Sequence, residues 1–390
     1  MDIPEVHAAL AALQATKRIR QRRLLDGAQG ANVSLDGRVC RSFASNDYLG
    51  LANHPGLAQA AIDALNTVGL GAGASHLLTG HHALHQAAEI ELAGHAGLPA
   101  ALLFSTGYMA NIGVVTSLLG RGDAVFADKL NHASLVDAAV LSRAEHRRYR
   151  HGDLNHLEDL LRNSAAKTKM IATDAVFSMD GDIAPIPELF DLAERYHAWL
   201  YLDDAHGFGV LGQGGRGVLE RFGLMERAAQ NPSLIYMATL GKALGVSGAF
   251  VAGAPELIEW LVNKARTYIY TTAMPPALSA AVTASLKVVV AEGWRRERLL
   301  EHIACLRNGL VTLPWRLLPS ETPIQPVQVG SDAAVMALTR ELMHRGIFVP
   351  AIRPPTVPEG TSRLRISLSA GHTLADVEHL VDALRAIAHG

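Results

Sequence analysis

The sequence predicts an α/β protein built on a large, doubly wound and mainly parallel β-sheet. Short apolar segments of strand length, each bounded by Gly, Asp or Ser, alternate with helical segments of ten or more residues. Strands that are separated by such helices pair in parallel, and the helices cover both faces of the sheet. Because ligands bind beyond the carboxyl ends of the strands in such sheets, we expect the chemistry directly after the apolar segments.

Composition supports a folded protein with a large core. Of the 390 residues, 49% are hydrophobic, and 35 Lys and Arg are set against 37 Asp and Glu. This balance argues against disordered or collagen-like classes and provides no broad basic surface for nucleic acid. Cys40 and Cys305 share no CxxC spacing, which favours a reduced, cytoplasmic protein. No apolar run reaches a membrane-spanning length, so we expect no membrane association.

The first 45 residues are predicted to form an N-terminal helix and arm. The helical pattern runs from Met1 to Arg23 and ends in a basic cluster, and Val39–Phe43 resembles a strand among turn residues. A large domain is predicted over residues 46–285. Its candidate strands are Ala101–Phe104, Ala124–Ala127, Met170–Val176, Trp199–Leu202, Leu234–Ala238 and Gly248–Ala252.

Residues 286–390 are predicted to form a smaller C-terminal α+β domain. A long helical stretch from Pro276 to Leu313 leads into it. Its candidate strands are Ile324–Val329, Phe348–Ile352 and Leu364–Leu368, and its candidate helices are Ala333–His344 and Leu374–Ile387.

Three side chains after neighbouring strands match the needs of pyridoxal phosphate. Asp203 and His206 follow one apolar segment, and Lys242 follows the next. Taken singly, each is more often a helix cap, a surface histidine or a surface lysine. Taken together, the lysine can form a Schiff base, the aspartate can keep a pyridine nitrogen protonated, and the histidine can bond the ring hydroxyl.

Two further segments after strands fit the same cofactor. Ser105–Asn111 opens a helix, whose backbone amides can bind a phosphate, although a plain N-cap explains the local sequence equally well. His132 follows another strand, where its ring can stack on a planar cofactor or simply start a helix.

Other patterns favour different chemistry less strongly. Gly207–Gly212 matches the GxGxxG fingerprint of dinucleotide sites, but more glycines follow where that fingerprint requires a helix. Asp180–Asp182 is interpreted as a turn. A group of histidines suggests metal binding: His76, His81, His82 and His85. Because we identify no partnering carboxylate at a recognisable spacing, we expect no metal site.

The sequence resembles the α-oxoamine synthases. These are fold-type I pyridoxal-phosphate enzymes that condense an amino acid with an acyl thioester and release carbon dioxide. The similarity covers nearly the whole chain and rests on ordered motifs. These are SNDYLGL at Ser45–Leu51, FSMDGD at Phe177–Asp182, DDAHG at Asp203–Gly207 and TLGK at Thr239–Lys242. The resemblance implies bound pyridoxal phosphate and a homodimer with active sites at the interface.

The resemblance also assigns roles to individual residues. Lys242, His132 and Asp203 are the expected catalytic residues. The expected cofactor contacts are Gly107, Tyr108, His132, Ser178, Asp203, His206, Thr239 and Lys242. Thr271 and Thr272 lie in a segment that resembles the one reaching the partner's cofactor phosphate. On the substrate side the resemblance implies Arg22, His132, Thr356 and Arg365, with Arg365 gripping the amino-acid carboxylate and Arg20 or Arg23 as alternatives to Arg22.

Ile352–Pro358 is most similar to the family branch that condenses L-alanine with pimeloyl-CoA or a pimeloyl acyl carrier protein in biotin assembly. The alternatives within the family are 2-amino-3-ketobutyrate ligase, 5-aminolevulinate synthase and serine palmitoyltransferase. Two alternatives come from other classes. A non-catalytic regulatory subunit would ordinarily lack a lysine at position 242, and a dinucleotide-dependent reductase would bind its cofactor at the loop that begins at Gly207. Gly71–His76 departs from the usual family form, which has more glycine and a final arginine.

Overall fold

The computed structural model describes residues 1–15 and 19–389. The strands are β1 Leu25–Asp26, β2 Asn32–Leu35, β3 Arg38–Ser42, β4 Ala100–Phe104, β5 Ala124–Asp128, β6 Glu145–Tyr149, β7 Lys169–Asp174, β8 Trp199–Asp203, β9 Leu234–Thr239, β10 Ala249–Gly253, β11 Arg316–Leu317, β12 Ile324–Gly330, β13 Ile347–Phe348, β14 Ala351–Ile352 and β15 Ser362–Ser367.

Helices separate most of these strands. They are α1 Ile3–Ala15, α2 Pro55–Val68, α3 Ala83–Ala96, α4 Gly107–Leu118, α5 Ala133–Ser142, α6 Leu154–Arg162, α7 Ile186–Arg195, α8 Val218–Arg221, α9 Met225–Gln230, α10 Pro255–Lys264, α11 Arg266–Ile269, α12 Pro276–Ala291, α13 Trp294–Leu310, α14 Asp332–His344 and α15 Leu374–His389. A single π-helical turn, His76–Gly80, precedes α3.

The large sheet has seven strands in the order β4-β10-β9-β8-β7-β5-β6. Strands β5 to β9 pair in parallel, whereas β10 runs antiparallel to both of its neighbours, β4 and β9. The predicted doubly wound, mainly parallel sheet is therefore confirmed. All six predicted strands of the large domain are present, each within two residues of its predicted bounds.

The central strands are apolar on both faces because helices cover the sheet on both sides. In β8, Leu200 and Leu202 belong to one core, while Tyr201 points into the other. In β5, Phe126 belongs to the same core as Leu200, and Val125 to the same core as Tyr201. This two-sided burial explains why the strands form nearly continuous apolar runs in the sequence.

One strand of the large sheet escaped the sequence analysis. The edge strand β6 has the sequence EHRRY and pairs only with β5. Glu145 and Arg147 form an ion pair of 2.8 Å on this edge. Charged side chains are a common device for protecting a sheet edge from further pairing, so this strand carries no apolar signal.

The N-terminal prediction is correct in part. Residues 19–23 are irregular, so the helix expected to reach Arg23 is wrong over those residues, and residues 16–18 lie outside the described part of the chain. Helix α1 buries no side chain. Most of the stability of a helix in a protein comes from tertiary packing, so nothing of this kind stabilises a longer helix here. The strand expected over Val39–Phe43 is present as β3, which pairs antiparallel with β2 in a hairpin.

The C-terminal region carries a four-stranded sheet in the order β11-β12-β15-β14. The strand predicted over Phe348–Ile352 is split into β13, which pairs with β3, and β14, which pairs with β15. Pro350 lies between the two pieces and has no N–H to donate to a ladder. The domain boundary after residue 285 stays a prediction, and α12 crosses it.

The helical stretch predicted from Pro276 to Leu313 is two helices, α12 and α13, bent by 68°. Among the described residues, no single helix has the length and apolar character needed to cross a membrane. The two helices of this bent pair meet both criteria only when they are taken together.

Candidate active site

A cavity of about 210 Å³ lies at the carboxyl ends of β7, β8 and β9, beside the start of α4. It is lined by Gly107, Tyr108, Asn111, His132, Ser134, Asp174, Val176, Asp203, Ala205, His206, Met237, Thr239 and Lys242. Seven of the residues predicted for the site thus meet in one cavity: Gly107, Tyr108, His132, Asp203, His206, Thr239 and Lys242. Parallel strands bring them together because their carboxyl ends share one edge of the sheet.

Asp203 is the last residue of β8 and is only 5% exposed. One carboxylate oxygen accepts a hydrogen bond of 2.9 Å from the Asn111 side chain, and the other accepts one of 3.1 Å from the Ala205 N–H. Asn111 is itself held by the Tyr201 hydroxyl, which donates to its amide oxygen at 2.5 Å. The carboxylate is therefore fixed in one orientation at the floor of the cavity.

Lys242 follows β9 in a loop, and its Nζ lies 3.1 Å from Nε2 of His206. Desolvation lowers the pKa of Lys242 to about 8, although the nearby carboxylates of Asp203 and Asp174 act in the opposite direction. A lysine with a lowered pKa provides more of the neutral amine, which is the form that attacks a carbonyl carbon.

His206 connects the lysine to a second group of polar side chains. Its Nδ1 lies 2.7 Å from the Tyr48 hydroxyl. Burial, followed by the charge of Lys242, holds the pKa of His206 well below its usual value. The imidazole is therefore neutral at neutral pH. Its Nε2 contacts Lys242 and its Nδ1 contacts Tyr48, so hydrogen bonds link the three side chains.

Arg365 in β15 is 5% exposed and reaches the same group of side chains. Its guanidinium donates to the Ser178 carbonyl, to the Asn46 side chain at 3.2 Å and to the Ser367 hydroxyl at 2.8 Å. A longer contact of 3.5 Å reaches the Tyr48 hydroxyl.

All of the acceptors recorded for Arg365 are neutral. Among the described residues it has no acidic partner within ion-pair distance, whereas Arg363 in the same strand pairs with Asp180. Because an uncompensated buried charge is costly, Arg365 is suited to receive a carboxylate from a ligand.

His132 is the N-cap of α5, and its ring lines the cavity. Its backbone N–H donates to Asp174 at 3.1 Å, and its Nδ1 lies 2.7 Å from the Ser134 hydroxyl. Burial lowers the pKa of His132, and burial together with the nearby Asp203 raises the pKa of Asp174 well above its usual value. These contacts fix the plane of the imidazole ring over the cavity.

His151 is a positioning residue that the sequence analysis missed. It bridges Asp128, which ends β5, and Asp182, with nitrogen to oxygen distances of 3.0 and 2.9 Å. Burial disfavours its charged form, but these two hydrogen bonds prevail and raise its pKa to about 10. The charged imidazole therefore ties the loop after β5 to the motif that contains Ser178.

The residues present fit pyridoxal phosphate. Gly107 begins α4, and a Cβ atom there would lie 2.8 Å from the Thr239 side chain, so only glycine leaves this approach open. The first N–H groups of a helix have no partner within the helix and favour an anion such as phosphate. The cavity thus combines a carboxylate, an amine and the start of a helix, where the Thr106 side chain already caps the Met109 N–H.

Some predicted site residues lie outside this cavity. Ser178 contacts Arg365 through its carbonyl, and Thr356 is exposed in a turn. Thr272 forms an isolated β-bridge with Ser75. Thr271 is also absent from the cavity lining. The roles expected for these four residues stay predictions.

The arginines considered for the acyl substrate differ in their surroundings. Arg23 forms an ion pair with Asp36 and lies 5.3 Å from the Phe348 ring. Arg20 and Arg22 are exposed and do not line the cavity. The structure therefore leaves Arg20 and Arg22 more accessible to a ligand than Arg23.

The glycine-rich loop after His206 has a structural role around Asp204. The carboxylate of Asp204 accepts hydrogen bonds from the Tyr236 hydroxyl at 2.7 Å and the Val218 N–H at 2.8 Å. A Cβ atom on Gly207 or Gly217 would lie 2.1 Å from one of its oxygens. The loop is irregular where a dinucleotide fingerprint requires a helix, which argues against a dinucleotide site.

The family model of aminotransferase class I and II matches residues 39–384. The 8-amino-7-oxononanoate synthase of Thiobacillus denitrificans is 59% identical over 380 residues, which cover 97% of each chain.

Two solved structures give a complementary view. The serine palmitoyltransferase of S. paucimobilis with a bound PLP–myriocin aldimine has a TM-score of 0.91 and 28% identity, and the match covers 100% of this chain and 99% of that one. The 8-amino-7-oxononanoate synthase of Francisella tularensis has a TM-score of 0.78 and 31% identity, covering 90% and 98%. The serine palmitoyltransferase is thus more similar in backbone, and the Francisella tularensis enzyme is slightly more similar in sequence. Such a difference is expected where one fold serves several substrates.

Proposed function

Because the chain belongs to the aminotransferase class I and II family, we propose that it is a pyridoxal-phosphate acyltransferase that condenses L-alanine with a pimeloyl thioester. The products are 8-amino-7-oxononanoate, carbon dioxide and the free thiol, in biotin biosynthesis. The observation that carries the chemistry is the grouping of Asp203, His206 and Lys242 in one cavity, with Arg365 close by and, among the described residues, without an acidic partner. The choice of substrates rests on the 59% identity to the Thiobacillus denitrificans enzyme.

The bound cofactor supplies an electron sink for the negative charge that develops at the α-carbon of the amino acid. Asp203 would stabilise positive charge on the ring nitrogen, because its carboxylate is buried and held by Asn111. His132, which lines the same cavity, would cover one face of the ring and exclude water from it. Arg365 binds the alanine carboxylate, and its hydrogen bonds to Ser178 and Asn46 orient the guanidinium.

Lys242 moves the protons. Its neutral amine would hold the cofactor covalently, and once the amino group of alanine has taken its place, the freed amine would accept the proton from the α-carbon of alanine. A pKa of about 8 suits both tasks, because the amine and the ammonium forms are each well populated near neutral pH. His206 and Tyr48 keep the lysine on one side of the cavity through their hydrogen bonds.

We propose that the pimeloyl end is received by Arg22 or Arg20. Both are exposed, whereas Arg23 is engaged with Asp36. The acyl chain ends in a carboxylate, and guanidinium groups pair with carboxylates in a bidentate geometry. Thr356, in the segment most similar to the alanine-specific branch, is proposed to contact the substrate.

A homodimer is proposed on the same grounds. Thr271 and Thr272 lie away from this chain's own cavity, although the family resemblance assigns them to a cofactor phosphate. A second copy that presents this segment to the first would complete the phosphate site. A cytoplasmic location is proposed from the two cysteines, neither of which is in a disulfide.

The substrate assignment is tested by measuring thiol release with three substrate pairs. L-alanine with pimeloyl-CoA is expected to react at least about tenfold faster than glycine with acetyl-CoA or serine with palmitoyl-CoA, a ratio that corresponds to roughly 1.4 kcal/mol. Faster release with either other pair would transfer the protein to another α-oxoamine synthase while keeping the cofactor chemistry. Release from pimeloyl acyl carrier protein alone would identify that carrier as the donor.

The pKa of Lys242 predicts a pH dependence for cofactor capture. Protein stripped of cofactor should bind pyridoxal phosphate covalently at a rate that rises with pH through about 8 and then levels off, because only the neutral amine reacts. Stopped-flow absorption measures this rate, with Nα-acetyl-lysine as the control amine. A rate that keeps rising toward the ordinary lysine pKa of about 10.4 would contradict a desolvated lysine.

A further inference from the structure

A second group of ionisable side chains lies apart from the cofactor cavity. His76 belongs to the π-helical turn, His81 lies just before α3, and His85 is in the first turn of that helix. One nitrogen from each ring can be chosen so that all three lie within 4.8 Å of one another. The Nδ1 atoms of His76 and His81 are already 2.9 Å apart. None of the three lines the cofactor cavity.

Two of the three histidines, His76 and His81, line a larger cavity of about 690 Å³ together with Glu89, whereas His85 is fully buried. The ring of His76 stacks on Tyr268, with a centroid distance of 4.7 Å and an angle of 12° between the planes. This stacking fixes the imidazole plane before any ligand arrives. The cavity gives an ion access to the rings of His76 and His81.

A carboxylate adjoins the cluster. Oε2 of Glu89 lies 4.0 Å from Nε2 of His81, while its Oε1 accepts a hydrogen bond from the Leu103 N–H. Glu89 is buried. The sequence analysis identified no partnering carboxylate for these histidines, but the structure places Glu89, one turn after His85 in α3, beside His81.

The three imidazole rings lie close together. Among the described residues, they share one hydrogen bond, between Nδ1 of His76 and Nδ1 of His81. The rings of His81 and His85 are stacked with centroids 5.7 Å apart, and the ring of His76 meets that of His85 edge-on at a centroid distance of 5.0 Å. Imidazole nitrogens grouped in this way are typical ligands of divalent cations such as Zn²⁺.

We propose that His76, His81 and His85 form a binding site for Zn²⁺ or a similar borderline divalent cation. Three imidazole nitrogens leave a fourth tetrahedral position open for water. Glu89 lies within reach to orient His81 and to balance the charge of the ion, as carboxylates commonly do behind a ligating histidine. Ligation by His85 replaces one of its two present contacts, with the His82 N–H or with the Met274 carbonyl.

The site is tested on untagged holoenzyme with its cofactor bound. Zn²⁺ binding is measured by calorimetry, and Co²⁺ binding by the visible absorption that a tetrahedral site produces. One ion per chain is expected. His81→Gln and His76→Gln should each weaken binding by at least about tenfold. Glu89→Gln should weaken it by a similar factor because the negative charge is lost. This variant should still fold, since the amide oxygen can accept the hydrogen bond from the Leu103 N–H.

His82→Asn is the matched control, because it removes a neighbouring histidine while keeping a side chain that can cap α3. It should bind Zn²⁺ as the unaltered protein does. Circular dichroism checks that each variant is folded. Absence of stoichiometric binding, or equal binding by His81→Gln, would overturn the proposal. Binding that is lost instead in Cys305→Ser would assign the ion to a thiol and would equally overturn it.

Discussion

Replacing Lys242 by Ala is expected to lower kcat by at least about 10³-fold, because the variant lacks both the amine that holds the cofactor and the group that moves the α-proton. Nothing else in the described part of the cavity offers an amine at that position. Initial rates of thiol release with L-alanine and pimeloyl-CoA measure the effect. Borohydride reduction followed by peptide mass spectrometry should place the cofactor mass on Lys242 in the unaltered protein and nowhere in the variant.

Lys287→Ala is the matched control, because it removes an exposed lysine from α12 and leaves the cavity untouched. Its rate should equal that of the unaltered protein. Circular dichroism should show the same secondary structure for all three proteins. A Lys242→Ala variant that keeps more than a tenth of the normal rate would remove Lys242 from the mechanism.

Asp203→Asn is expected to lower kcat by roughly 10²- to 10³-fold, the range seen when one preorganised electrostatic group is removed from an active site. The amide keeps the shape of the side chain but has no negative charge to stabilise a protonated ring nitrogen. Cofactor affinity should change much less than the rate. Equilibrium titration with pyridoxal phosphate and steady-state kinetics separate the two effects.

The adjacent aspartate provides a stringent control for this variant. Asp204 is completely buried, and its carboxylate accepts hydrogen bonds from Tyr236 and Val218 and does not line the cavity. Asp204→Asn should therefore destabilise the protein while the folded fraction keeps a kcat within about tenfold of normal. Equal losses of kcat in the two variants would show that the effect of Asp203→Asn is structural.

Much of the fold could be predicted because the central strands are buried on both faces. The runs around Leu200 and Ile235 are apolar throughout, so their positions and lengths are visible in the sequence. The edge strand β6 was missed because its charged residues face solvent. The split between β13 and β14 depends on Pro350 and on tertiary pairing with β3, which local patterns do not report.

The same distinction holds for the site. Asp203 and Lys242 could be predicted from local sequence because one ends a strand and the other follows one, and these adjacent strands bring them to one edge of the sheet. The contacts of Arg365 with Asn46 and Tyr48 join residues more than 300 positions apart, which no spacing rule predicts. The His76 cluster depends on the π-helical turn, where Leu78 has non-helical dihedral angles.

The most direct test of the proposed reaction follows the carboxyl carbon of alanine. The holoenzyme is supplied with pimeloyl-CoA and L-alanine labelled with ¹³C at the carboxyl group, and carbon dioxide, thiol and product are measured together. We predict that labelled carbon dioxide and free thiol appear in equal amounts, with an unlabelled product of the mass of 8-amino-7-oxononanoate. Thiol release without labelled carbon dioxide, or a product that retains the label, would contradict a decarboxylative condensation.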